Sequence, residues 1–145
     1  MMTVSSTPAE TSKAASAQTE NTVTVRYIVN DVPQSVEFYT RHLGFTIGLD
    51  ARPAFAVVAR GPLRLALSGT TGRGGGAQPM PDGRKPEPGG WNRIQIAVGD
   101  LASEVTRLRA AGLRFRNDIV KGNGGQQVLL EDPSRNPIEL FEAYR

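Results

Sequence analysis

The chain has 145 residues, 39% of them apolar and none of them cysteine, and a formal net charge of +3. This length suits one domain with its own core, and the composition excludes a disulfide framework, a thiolate zinc site and a cysteine nucleophile. No run approaches the roughly 20 apolar residues of a membrane helix, the basic residues are scattered, and aromatics make up only 6%. A nucleic-acid surface shows a basic stripe or stacking platforms instead, so neither nucleic acid nor membrane is expected as a partner. The lack of cysteine fits a reducing cytoplasm, and the start of the chain lacks the basic and apolar run of a secretory signal.

Residues 1–22, rich in Ser, Thr, Ala and Glu, are expected to form a disordered tail. Val23 to Val29 reads as a strand with Val25, Tyr27 and Val29 on one face and Thr24, Arg26 and Ile28 on the other. Asp31 and Pro33 suit a helix start. Val32, Val36, Tyr39 and Leu43 follow at helical spacing, and Gly44 is a helix stop. Strands are expected over Phe45–Leu49, Ala54–Ala59 and Leu63–Ser68, with Gly61-Pro62 marking a turn. Gly69 to Gly90 is dominated by Gly and Pro and reads as a lid, a binding loop or a linker.

The pattern then restarts. Trp91 to Val98 is expected as a strand, with Ile94, Ile96 and Val98 on one face. Asp100 is a second cap, Leu101, Val105 and Leu108 repeat the helical spacing, and Gly112 stops the helix. Strands follow near Leu113–Arg116, Gln126–Leu130 and Pro137–Phe141. Val29-Asn30-Asp31-Val32 overlays Val98-Gly99-Asp100-Leu101, Val36 overlays Val105, and Gly44-Phe45 overlays Gly112-Leu113. The chain is therefore read as one α+β domain over residues 23–145. It has two βαβββ modules, residues 23–68 and 91–145, joined by the loop 69–90. Neither half buries enough surface alone, so the halves must pack together.

These marks resemble the vicinal oxygen chelate superfamily, which includes glyoxalase I, extradiol dioxygenases, fosfomycin-modifying enzymes and bleomycin-binding proteins. The matching segments are Val29 to Val32, Val36-Glu37-Phe38-Tyr39 and His42-Leu43-Gly44-Phe45. A late match is Glu131-Asp132-Pro133-Ser134-Arg135-Asn136-Pro137-Ile138-Glu139-Leu140, against a family signature Asp-Pro-x-Gly-Asn-x-Ile-Glu-Leu. The resemblance implies a curved mixed sheet around a cavity. In metal-dependent members it also implies a divalent ion held by one residue, usually His, from the first strand of each half and by a late Glu.

Carried over, the first-strand positions fall on Thr24 and Arg93, and the late glutamate is Glu139. The only histidine, His42, lies at a helix end, where protonation favours the helix dipole. One hydroxyl, one carboxylate and a guanidinium, which cannot bind metal, are a poor donor set. No metal site and no cofactor are expected.

Strand alternation adds Arg26, Arg64, Trp91, Gln95 and Phe141 to the candidate cavity. Arginines bind planar anions or stack on rings. Each residue also has a plainer reading. Arg93 and Glu139 would form a structural ion pair, Arg26 and Arg64 would lie on the outer surface, and Trp91 would cover a core edge. Tyr27, Phe38 and Tyr39 read as core. Gly72 to Gly76 lacks the lysine and strand-to-helix setting of a phosphate loop, and no Ser-His-Asp triad is apparent.

The preferred function is a metal-independent binder of an anionic or aromatic organic molecule, working as a homodimer in the cytoplasm. One alternative is an isomerase, lyase or ring-forming enzyme with Glu139 as acid or base and Arg93 stabilising an oxyanion. The other is a metal-dependent glyoxalase or dioxygenase.

Overall fold

The computed structural model describes residues 21–72 and 74–145. The expected disorder of residues 1–20 lies outside the described residues. Strand β1 (Val23–Val29) follows the alternation, with Tyr27 and Val29 buried and Thr24 and Arg26 exposed. Helix α1 (Val32–His42) opens where the Asp31 carboxylate accepts a hydrogen bond from the Gln34 N–H at 2.9 Å. Its inward stripe is Val32, Val36 and Tyr39. Helix α2 (Leu101–Ala110) repeats the design. Asp100 accepts from the Ser103 N–H at 3.0 Å, and Leu101, Val105 and Leu108 face inward. Both helices are followed by a glycine at positive φ, Gly44 at 73° and Gly112 at 86°, a backbone region that L side chains rarely adopt.

The remaining strands are β2 (Thr46–Ala51), β3 (Phe55–Arg60), β4 (Leu63–Gly69), β5 (Ile94–Ala97), β6 (Arg114–Phe115), β7 (Val120–Lys121), β8 (Gly125–Glu131) and β9 (Pro137–Ala143). They form two sheets, ordered β1-β4-β3-β2 and β5-β9-β8-β6, with β7 added on β8. In each sheet the first strand runs parallel to the last strand of its module, and the other pairs are antiparallel. The fold is therefore α+β, with two mixed sheets repeating one strand order. The inward faces of both sheets and the inward stripes of both helices join in one buried cluster. Tyr39, Leu65 and Leu67 lie in it from the first module, and Leu101, Leu130 and Leu140 from the second. Phe38 is also buried there, as its core reading required.

The second module departs from expectation at its first strand. The ladder begins at Ile94 rather than Trp91. Asn136 accepts from the Gly89 N–H at 2.8 Å and Arg116 donates to the Gly90 carbonyl at 2.9 Å. These contacts hold the incoming chain away from sheet pairing. The strand expected over Leu113–Arg116 shortens to Arg114–Phe115, and β7 is an additional short strand. The Gly- and Pro-rich connection contains one turn of 3₁₀ helix, Gly75–Ala77. His42 lies in the last turn of α1, the helix end where it was expected. Burial first, then the neighbouring Arg41 and Arg107 charges, lowers its pKa.

The modules are joined by buried polar groups. The Tyr27 hydroxyl donates to the Pro137 carbonyl at 2.7 Å and accepts from the Ile94 N–H at 2.9 Å, linking β1 to β9 and β5. In the β8–β9 turn, Asp132 accepts from the Ser134 and Asn136 N–H groups, the Asn136 amide and the Tyr39 hydroxyl, at 2.8 to 3.0 Å. Burial raises the Asp132 pKa even so, and these donors oppose the rise. The Asn136 amide also donates to the Ile28 carbonyl, and Ser134 Oγ accepts from the Asn30 N–H, each at 2.8 Å.

Burial pushes the Tyr27 pKa up to about 12. The unfolded phenol ionises near pH 10, so the fold keeps its full stability up to there and loses it as pH rises towards 12, by about 3 kcal/mol for this group. Tyr27→Phe should lower stability at neutral pH by about 1–2 kcal/mol through the lost donor and acceptor. It should also flatten the alkaline decline, read by urea unfolding at each pH. A decline as steep in the variant as in the wild type would contradict this role.

Candidate functional site

Glu139 sits in the middle of β9, directly opposite Gln95 of β5. Its carboxylate is buried, with the side chain 7% exposed. Arg93 donates from Nε to Oε1 at 3.0 Å, and its Nη2 lies 2.9 Å from the same oxygen. Gln95 donates from Nε2 to Oε2 at 2.6 Å. Both carboxylate oxygens are therefore held by donors, which is how a carboxylate tolerates burial. Arg93 is fixed in turn by a hydrogen bond from Nη1 to the Trp91 carbonyl at 3.2 Å.

This arrangement tests whether the implied metal fits. A divalent ion would need the Glu139 lone pairs and further anionic or neutral donors around them. Here a guanidinium occupies one ligand position and bonds to the carboxylate itself. Among the described residues, no three His, Cys, Asp or Glu side chains gather where they could hold an ion. The residues present do not fit the metal of the metal-dependent members.

Between β1 and β5 lies a cleft of about 350 Å³, whose walls include Arg26, Tyr27, Glu87, Asn92, Arg93 and Asn136. Arg26 is positioned by three neighbours. Its Nη1 donates to Ser68 Oγ at 2.7 Å, and its guanidinium lies 6.0 Å from the Phe55 ring. Gly76, in the 3₁₀ turn, packs so closely that a Cβ there would run into the Arg26 guanidinium and approach Ser68 Oγ. The Gly- and Pro-rich segment thus crosses over Arg26 and places Glu87 on the cleft wall.

Of the residues proposed from sequence, Arg93, Gln95 and Glu139 come together, and Arg26 and Arg93 line the cleft. The others do not join them. Thr24 is exposed on β1, paired in register with Arg64. Arg64 folds back onto the Gly61 and Leu63 carbonyls at 2.8 and 3.2 Å, because the β3–β4 turn offers acceptors beside it. Trp91 is outside the ladder and 70% exposed, and its ring lies 5.0 Å from the Arg116 guanidinium. Phe141 shares the Glu139 face but packs over Gly125, where a Cβ would meet its ring. Glu139 itself is shielded by its donors and is not on the cleft wall.

Sequence reading missed Glu87, Asn92 and Asn136 as lining residues. Asn136 stood inside the late signature, and Glu87 was a lone acid in a glycine- and proline-rich stretch.

A family model described as the Glyoxalase/Bleomycin resistance protein/Dioxygenase superfamily matches residues 21–140. The chain belongs to this superfamily. A solved superfamily structure from Sphaerobacter thermophilus is 24% identical, with a TM-score of 0.65, covering 83% of this chain and 95% of the other. A lactoylglutathione lyase structure from Agrobacterium tumefaciens is 17% identical at a TM-score of 0.66, covering 83% and 91%. An antibiotic-binding protein from a Streptomyces species is 18% identical at a TM-score of 0.63, covering 99% and 100%. No curated protein matches the chain. At these identities the structures share the superfamily fold, which hosts many functions.

Arg93→Met removes the cation but leaves Glu139 buried, and should lower the unfolding free energy in urea by roughly 3 kcal/mol. Adding Glu139→Gln to that variant should restore most of the loss. If the two losses simply add, Arg93 and Glu139 are not energetically paired.

Proposed function

We propose that the protein binds a small anionic organic molecule with an aromatic part in the β1–β5 cleft, without a metal ion. One observation carries this reading. The Glu139 carboxylate, at the family's ligand position, is neutralised by Arg93, and Arg93 and Arg26 both line the cleft. The cleft pairs these donors with apolar walls from Val25, Ile28 and Ile94, the mix that small-molecule sites use. Likeness to an antibiotic-binding protein over nearly the whole chain supports binding as the activity. With both Glu139 oxygens held by donors, the carboxylate is poorly placed to move a proton on a ligand.

The proposal includes a cytoplasmic homodimer. Among the described residues, no helix is long and apolar enough to cross a membrane. Edge strand β2 exposes Ile47 and Leu49 at 46% and 50%, and such an edge favours pairing with another chain.

Calorimetric titration with a panel of aromatic and aliphatic carboxylates tests the reading. At least one aromatic member should bind, Arg26→Ala should weaken it about tenfold or more, and mass spectrometry should recover it unchanged. Equal affinity in Arg26→Ala, or a chemically altered compound, would contradict it.

A further inference from the structure

A second concave surface, of about 610 Å³, shares no lining residue with the cleft. Segment 89–93 separates them: Gly89, Asn92 and Arg93 face the cleft, and Gly90 and Trp91 face the second surface. Trp91, Arg114, Arg116, Glu131 and Arg135 line this surface.

Its parts are fixed in place. Arg116 donates from Nε to Glu131 Oε2 at 2.8 Å, from Nη1 to the Gly90 carbonyl at 2.9 Å and from Nη2 to the Arg135 carbonyl at 3.1 Å. Its guanidinium lies 5.0 Å from the Trp91 ring, which holds the indole by cation–π attraction while leaving it 70% exposed. An exposed, immobilised indole is a ready stacking surface.

The charge is one-sided. Three arginines line the surface against a single carboxylate, Glu131, which Arg116 already engages. Glu131 Oε1 has no hydrogen-bond partner, and Arg114 stands 3.8 Å from it with its side chain 57% exposed. The Arg135 side chain makes no hydrogen bond or ion pair among the described residues. Arg135 is also the only described non-glycine residue at positive φ, at 69°. That conformation costs on the order of 1 kcal/mol for such a residue, so glycine would suit the backbone better. A strained arginine beside an exposed tryptophan, with no internal partner to hold it, points to an external anion.

We propose that this surface is a separate binding site for a small planar aromatic anion, its ring stacked on Trp91 and its anionic group met by Arg114 and Arg135. Ring and charge act together: stacking supplies an apolar platform, and two exposed guanidiniums supply donors matched to a carboxylate or phosphate.

Trp91 is the chain's single tryptophan, so its indole N–H signal in a ¹⁵N-correlation spectrum is read on this surface without overlap from another indole, and Arg26→Ala separates it from binding in the cleft. Titrating the full chain with 2-naphthoate should move that signal saturably. Cyclohexanecarboxylate, which lacks the ring, and 2-naphthalenemethanol, which lacks the charge, should each be weaker by about tenfold or more. Arg114→Ala combined with Arg135→Gly should weaken naphthoate by a similar factor, with the rest of the spectrum showing the fold intact. Arg26→Ala, which tests the cleft, should leave the titration unchanged. An unmoved indole signal, equal response to a control compound, full affinity in the double variant, or loss of the shift in Arg26→Ala would each overturn the proposal.

Discussion

The whole arrangement depends on the turn between β8 and β9, where a buried carboxylate must find donors. Asp132 finds them in its own turn and in Tyr39 of the other module. That one requirement ties α1 to the second sheet. Asn136 extends the tie, donating to the Ile28 carbonyl of β1 and accepting from the Gly89 N–H of the crossing segment. A buried polar network of this kind is costly unless every member is satisfied, so it specifies one docking of the two modules. The cleft between β1 and β5 is the space that docking leaves.

Glu139, the other deeply buried carboxylate, solves the same problem with a different partner. Asp132 is held by neutral donors, and burial raises its pKa. Glu139 has a formal cation, Arg93, and an amide, Gln95. The difference matters for chemistry, because the carboxylate that could face a metal ion is here engaged by a guanidinium. The superfamily frame is kept, and a cation, Arg93, stands at one of the first-strand positions and pairs with the late carboxylate.

Much of this was legible in the sequence because local rules and tertiary demands agree there. Asp31 and Asp100 cap helices, Gly44 and Gly112 end them at positive φ, and the strand alternation around Tyr27 holds. The Arg93–Glu139 pairing was legible as well, since a guanidinium beside a late glutamate has few better partners. What failed was alternation carried past the real strand. Trp91 was assigned a face of β5, yet Asn136 and Arg116 hold the approach to β5 out of the ladder. Arg64 was added to the candidate cavity from its place in a strand, but backbone acceptors in its own turn captured it. Such competition between a nearby acceptor and a distant site leaves no trace in spacing or composition. The role of Tyr27 as a bridge between modules was hidden for the same reason: a core aromatic and a core aromatic with a paired hydroxyl look alike in one sequence.

The central claim is that Arg93 and Glu139 make this a superfamily site without a metal ion. Elemental analysis of the protein, produced in medium supplemented with Fe, Mn, Ni and Zn and purified without chelator, tests it most directly. The account predicts well under one ion per chain, and the same content in Glu139→Gln. A stoichiometric ion that EDTA strips and Glu139→Gln abolishes would contradict it.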